Sequence, residues 1–117
     1  MKTIGIIGSR RRDTPVDKLL LKEVFDKHYE PGDRIVSGGC PQGGDRFAEE
    51  IARDLGLTII IHYPNWSGGR FAGLARNTLI AEDGDMLLAL VAPDRKGGAE
   101  DTITKATRLG KIVIPIS

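Results

Sequence analysis

Cysteine, histidine and aromatic residues are scarce in this sequence. Cys40 is the only cysteine, so an intrachain disulfide is impossible, and we expect a buried structural thiol in a reducing compartment. The two histidines, His28 and His62, have no third ligand at a recognisable spacing, which predicts no metal and no cofactor. Three phenylalanines, two tyrosines and one tryptophan leave few side chains on which nucleic-acid bases could stack.

Neither sign of charge dominates, and long apolar runs are missing. The chain has 17 Lys and Arg against 16 Asp and Glu, a formal net charge of +1, so no strong overall field attracts nucleic acid. No apolar run approaches the ~20 residues of a membrane span, and the N-terminus enters a strand pattern rather than a signal peptide. We therefore expect a cytoplasmic protein without a membrane partner. The length of 117 residues predicts a single domain over 1–117.

Strand-like and helix-like patterns alternate strictly along the chain. Apolar runs predict strands at 3–7, 34–36, 57–62, 84–90 and 111–116, and amphipathic patterns predict helices at 15–27, 45–55, 71–81 and 99–109. Asp13 or Thr14 can cap the first helix, with Pro15 at its first position. Right-handed crossovers then predict an α/β fold, a three-layer Rossmann-like sandwich with a five-stranded parallel sheet of order 3-2-1-4-5.

Four glycine-bearing segments lie where an apolar run ends and a helical pattern begins. They are Gly8-Ser9-Arg10, residues 37–45, residues 68–77 and Gly97-Gly98. Because the carboxyl ends of parallel strands share one edge of the sheet, these segments are expected to converge on one ligand site at the switch between strands 1 and 4.

The first turn excludes two common nucleotide-binding motifs. Gly8 is followed by Ser9-Arg10-Arg11 rather than by two further glycines, and the chain lacks the Gly-Lys-Ser/Thr ending of a P-loop. The turn instead offers a hydroxyl and a guanidinium, which suit a phosphate or a carboxylate.

The second segment has four glycines in nine residues and leads into a helix N-terminus, a place that binds anions. Asp45 lies at that helix start, where it can cap the helix or contact a ligand. It could do both if the ligand is a sugar, whose hydroxyls donate to the carboxylate while a phosphate takes the amides.

The other two segments also carry polar residues for which both a structural role and a ligand contact are open. Gly73 inside a predicted helix costs about 1 kcal/mol relative to alanine, which suggests close packing there. Arg76 and Asn77 follow it as adjacent polar residues in a partly apolar pattern, so one of them is expected to face away from whatever the other faces. After Gly97-Gly98, capping would explain Asp101 and Thr102, but it does not explain the two glycines.

Together, these motifs and Trp66 resemble the SLOG superfamily of Rossmann-like domains over nearly the whole chain. The resemblance is to its small YspA-like branch, labelled a domain of unknown function in bacteria and phages. It implies a homodimer that senses, sequesters or carries a nucleotide or a nucleotide-derived small molecule, such as one like ADP-ribose. The expected ligand-binding residues are Gly8, Ser9, Arg10, Ser37, Gly38, Gly39, Gly43, Asp45, Trp66, Arg76, Asn77, Gly97, Gly98 and Thr102.

The superfamily also suggests two alternatives. In its Lonely guy phosphoribohydrolases, a helix motif supplies a catalytic arginine, which Arg76 resembles, and a Pro-Gly-Gly-x-Gly-Thr-x-x-Glu motif supplies a glutamate. Here Lys96 replaces the proline and Thr104 falls where the glutamate belongs, so Glu100 or Asp101 would have to replace the acid. The second alternative, a nucleic-acid interaction like that of DprA, is disfavoured by the near-neutral charge and the few aromatics.

Overall fold

The computed structural model describes residues 1–117 except for the side chain of Arg70. The elements are β1 (Thr3–Gly8), α1 (Pro15–His28), β2 (Arg34–Ser37), α2 (Gly44–Leu55), β3 (Ile59–Ile61), a 3-10 helix (Trp66–Phe71), α3 (Ala72–Asp83), β4 (Met86–Leu90), α4 (Gly98–Arg108) and β5 (Ile112–Ile116). Each predicted strand and helix is present, with ends that differ by no more than about two residues. Between β3 and α3, where the sequence predicts neither strand nor helix for residues 63–70, Trp66–Phe71 forms a 3-10 helix that leads into α3.

The five strands form one parallel sheet in the order β3-β2-β1-β4-β5, which confirms the predicted Rossmann-like topology. The strand order reverses between β1 and β4, where Gly8 pairs with Leu90 at the carboxyl ends. Among the helices of the described chain, none is both long and apolar enough to cross a bilayer.

Side-chain alternation along β1 divides the core into two halves. Ile4 and Ile6 pack with Phe25 of α1 and Phe47 of α2 on one face of the sheet. Ile7 points to the other face, in a cluster that includes residues of α3 and α4. The sheet is therefore covered on both sides, as a parallel sheet requires.

Two neighbouring residues before α1 serve two different helices. The Thr14 hydroxyl accepts from the Asp17 N–H and the Asp17 carboxylate accepts from the Thr14 N–H, each at 3.2 Å, so Thr14 is the cap. Asp13 instead accepts the Gly43 N–H at 2.6 Å and an Arg46 N–H at 2.9 Å. The carboxylate of Asp13 therefore neutralises the start of α2 rather than that of α1.

The start of α2 lies directly on the end of β1. A β-carbon on Gly44 would collide with backbone atoms of Ile7 and Gly8, which cannot move aside as a flexible side chain can. Glycine is required here because the two backbones touch. This contact fixes the first turn of α2 beside the switch point.

Replacing Gly44 by alanine is expected to destabilise the fold by about 2–4 kcal/mol, because either the helix or the strand has to shift. Gly73→Ala in α3 is the matched control. A β-carbon there would lie 3.7 Å from the Trp66 ring, which is ordinary contact, so alanine should stabilise the helix by about 1 kcal/mol. Urea denaturation of the two variants measures both effects, and equal stabilities would contradict the packing described.

Candidate functional site

A cavity of about 540 Å³ opens at the carboxyl ends of β1 and β4, a size typical of small-molecule sites. Its walls come from the first turn, the start of α2, the 3-10 helix, α3 and the start of α4. The lining residues are Ile7, Gly8, Ser9, Arg10, Arg11, Cys40, Asp45, Trp66, Gly73, Leu74, Arg76, Asn77, Ile80, Lys96, Gly97, Gly98, Ala99 and Thr102.

Most of the residues expected at the site lie on this lining, including members of all four glycine-bearing segments. Four lie behind it. Ser37 is buried and donates to the Ile6 carbonyl at 2.6 Å, and the Gly38 carbonyl accepts from Arg76. Gly39 packs against the Tyr63 ring, and the Gly43 N–H is taken by Asp13.

The glycine-rich loop before α2 differs from expectation, because protein carboxylates already occupy amides that an anion would need. Asp13 takes the Gly43 N–H, and Asp45 takes the Cys40 N–H at 3.1 Å. Asp45 does not cap α2, since its side chain reaches back to a residue before the helix and the N-cap residue Gly43 has no side-chain cap. This loop presents a carboxylate to the cavity.

Two loops meet at the switch point and are held together by polar contacts. The Ser9 N–H donates to the Leu90 carbonyl at 2.9 Å. Arg11 forms two hydrogen bonds with Asp94, at 2.6 and 3.0 Å, and donates to the Lys96 carbonyl. The turn after β1 and the loop after β4 therefore form one continuous wall.

Positive charge and open amides gather along that wall. Arg10 and Lys96 are exposed, and neither side chain has an ion-pair partner among the residues that the structure describes. The helix α4 begins after Gly97, at φ 120°, with no side chain capping its first turn. A helix start of this kind, beside two cations, suits an anionic group.

Arg76 and Asp45 approach each other across Gly38. If Gly38 had a β-carbon, it would lie 2.5 Å from Arg76 Nη1 and 2.8 Å from Asp45 Oδ2, so any larger residue would push these two side-chain ends away from their positions. Arg76 Nη1 donates to the Gly38 carbonyl at 2.5 Å and Nε donates to Asn77 Oδ1 at 2.8 Å. The other N–H groups of the guanidinium have no acceptor among the described residues.

Asp45 is 6% exposed and is the one carboxylate on the cavity lining. Burial raises the pKa of this carboxyl above its ordinary value, and the Cys40 N–H and the charge of Arg76 only partly offset that effect. The Ser37 hydroxyl is within reach of Asp45, but its single proton serves the short bond to the Ile6 carbonyl. The carboxylate therefore retains unused acceptor capacity at the cavity.

Asn77 and Thr102 complete the polar part of the wall. Asn77 is buried and donates to the Gly98 carbonyl at 3.4 Å and to Asp101 at 3.2 Å, and it lies on the cavity lining together with Arg76. Thr102 is 1% exposed, and within the described part of the chain its hydroxyl has no hydrogen-bond partner. Neither Asp101 nor Thr102 caps α4.

The remaining wall is apolar. The Trp66 ring lies over Gly73, and Leu74 is beside it on the lining. Trp66 is 62% exposed, so a flat ring could stack on it without displacing protein atoms. No close protein packing accounts for Gly73, contrary to the sequence-based expectation.

The two acids proposed for a hydrolytic reaction lie outside the lining. Glu100 forms two hydrogen bonds with Arg95, at 2.9 and 3.0 Å. Asp101 pairs with Lys105 at 2.9 Å and accepts from Asn77. Both carboxylates are occupied by partners of the same chain.

Several lining residues were not predicted as site residues. Cys40 was expected to be buried but is half-buried on the cavity wall, and its N–H donates to Asp45. The position of Cys40 in the glycine-rich loop could have indicated that it lies at the ligand site. Lys96 directly precedes Gly97-Gly98, and Leu74 lies in the predicted helix, but nothing in the sequence marks either as facing a ligand.

No family model matches this chain, and no curated protein matches it. Among solved structures, the X-ray structure of TM1055, a Northeast Structural Genomics Consortium target, is similar, with a TM-score of 0.64 at 18% sequence identity. The similarity covers 97% of this chain and 72% of that one. It establishes the Rossmann-like fold.

The raised pKa of Asp45 makes a testable link between this residue and stability. A carboxyl with a higher pKa in the folded state binds its proton more tightly there, so stability falls as the pH rises above the ordinary value of 3.8 and through the raised one. Asp45→Asn removes this cost. The variant should melt at a higher temperature than the wild type at pH 7, and the difference should vanish toward pH 4.

Asp26→Asn is the control, since it removes the same charge from the exposed side of α1 and should change the melting temperature little. A melting temperature of Asp45→Asn below that of the wild type at pH 7 would show that the carboxylate stabilises the fold instead.

Proposed function

We propose that the protein binds a nucleotide or a nucleotide-derived small molecule in the cavity at the switch point, with a sensing, sequestering or carrier role. The observation that carries this proposal is that one cavity joins a cationic wall with open helix-start amides, a buried carboxylate and an exposed indole ring. These groups match the phosphate, sugar and base of a nucleotide in chemical type.

The phosphate is placed at the wall formed by Arg10, Lys96 and the start of α4, because this wall carries the unpaired cations and the uncapped amides. The base is placed against Trp66 and Leu74, because stacking on an aromatic ring suits any base. Thr102 also lies on the lining, and its hydroxyl has no hydrogen-bond partner among the described residues.

This proposal includes membership of the SLOG superfamily, with a homodimer in the cytoplasm. The supporting observations are that the Rossmann-like topology is the expected one and that the turns which carry the resemblance meet at one cavity. Arg76, the counterpart of the catalytic arginine in the phosphoribohydrolases, also lies on its lining.

Saturable binding of at least one adenine or guanine nucleotide derivative is expected. Ligand at about 100 times its dissociation constant stabilises a fold by about 2.7 kcal/mol, which a thermal shift across mononucleotides, dinucleotides, cyclic dinucleotides and ADP-ribose relatives would report. Trp66 is the only tryptophan, so intrinsic fluorescence gives an independent titration. The absence of any shift or quenching across the panel would overturn the proposal.

Arg76→Ala is expected to weaken that binding by about ten- to a hundredfold, because charged hydrogen bonds to the ligand are lost. Arg76→Lys retains the charge and should bind with intermediate affinity. Arg53→Ala removes an exposed arginine of α2 outside the cavity and is the control. Unchanged affinity in folded Arg76→Ala would give the residue a structural role only, through its bond to Gly38.

Release of free base from adenosine or cytokinin monophosphates should not exceed background, because Glu100 and Asp101 are paired elsewhere and a threonine stands at position 104. Chromatography of the reaction mixture measures this. Base release that Glu100→Gln or Asp101→Asn abolishes, with binding intact, would replace the binding role by the phosphoribohydrolase alternative.

A further inference from the structure

We propose that Asp45 and Arg76 together bind the vicinal hydroxyls of a ribose, so that the site selects ribonucleotides over deoxyribonucleotides. This inference rests on the proposed function and names the sugar of its ligand.

The first step is the incomplete hydrogen bonding of Asp45. Asp45 is 6% exposed, and among the described residues the Cys40 N–H is the one donor that hydrogen-bonds to its carboxylate, since the proton of the nearby Ser37 hydroxyl serves the Ile6 carbonyl. A carboxylate has about four acceptor positions, and leaving them empty in a buried place is costly. Because Asp45 lines the cavity, the missing donors must come from water or from a ligand.

The second step concerns which donors fit. Arg76 lies close by on the other side of Gly38, and its remaining N–H groups need acceptors. A cationic ligand group would be repelled by this guanidinium. A hydroxyl is neutral and is both donor and acceptor, so two adjacent hydroxyls can donate to Asp45 and accept from Arg76 at once.

The third step separates the sugar from the base. A guanine edge also carries donors beside an acceptor, but the surface suited to a flat ring is the apolar wall of Trp66 and Leu74. Asp45 instead lies at the first turn of α2, whose backbone touches the end of β1 next to the cationic wall proposed to bind the phosphate. A position between the phosphate wall and the aromatic wall is where a sugar belongs.

The test compares AMP, GMP and ADP-ribose with 2′-deoxy-AMP, 3′-deoxy-AMP and 2′-deoxy-GMP, by calorimetry and by Trp66 fluorescence. Loss of either hydroxyl should weaken binding by about tenfold or more, since it leaves the buried carboxylate short of a donor. Asp45→Asn should weaken AMP binding by a similar factor. Its dissociation constant for 2′-deoxy-AMP should stay within about threefold of the wild-type value.

Asp26→Asn, which removes a charge from the exposed side of α1 and off the cavity lining, is the matched control and should preserve the preference for ribose. Equal binding of the ribose and deoxyribose forms would overturn this inference alone, as would a preference for one base without a preference for the sugar. Binding of no probe at all would overturn the proposed function. If Asp45→Asn does not fold, the comparison of ribose and deoxyribose nucleotides on the wild-type protein still tests the inference.

Discussion

The direct contact between the backbone of α2 and the end of β1 is the constraint on which the site depends. Gly44 permits this contact, and the next residue in the helix is Asp45. Because the helix start cannot move away from β1, the side chain of Asp45 is held at the switch point beside the turn after Gly8. The Asp13 carboxylate accepts the Gly43 N–H, so the partial positive charge at the start of α2 is neutralised by a residue that lies outside the cavity lining.

Asp45 is a buried acid with too few hydrogen-bond donors, an arrangement that destabilises the folded protein. The packing of the fold alone does not explain it. Burial raises the pKa of Asp45, and Arg76 lies near without forming an ion pair with it in the described residues. A direct ion pair would satisfy both groups and would stabilise the empty protein more. Because Asp45 and Arg76 are separated across Gly38, both side chains can still bind a ligand. Binding sites are often less stable than the rest of a fold for this reason.

The topology was predictable because strand and helix patterns alternate and the crossover rule leaves few orders. The convergence of the turns followed from the parallel sheet. Which backbone amides are free to bind a ligand could not be predicted in this way. The Gly43 N–H, for example, is bound by Asp13, which lies 30 residues away in sequence. Likewise, an Asp at a helix start is ordinarily a cap, whereas here the Asp45 carboxylate accepts the Cys40 N–H of the preceding loop and lines the cavity.

The near-neutral net charge of the chain conceals a strong local separation of charge. Arg10 and Lys96 are exposed at the rim, whereas Asp45 is enclosed. A ligand that was anionic throughout would gain at the rim and lose at Asp45, whereas a cationic one would be repelled both at the rim and by Arg76 beside Asp45. The molecule that satisfies both has a charged end and a neutral, hydrogen-bonding middle. Gly73 fits the same account, since no protein atom requires glycine there and a methyl group would only take space from the cavity.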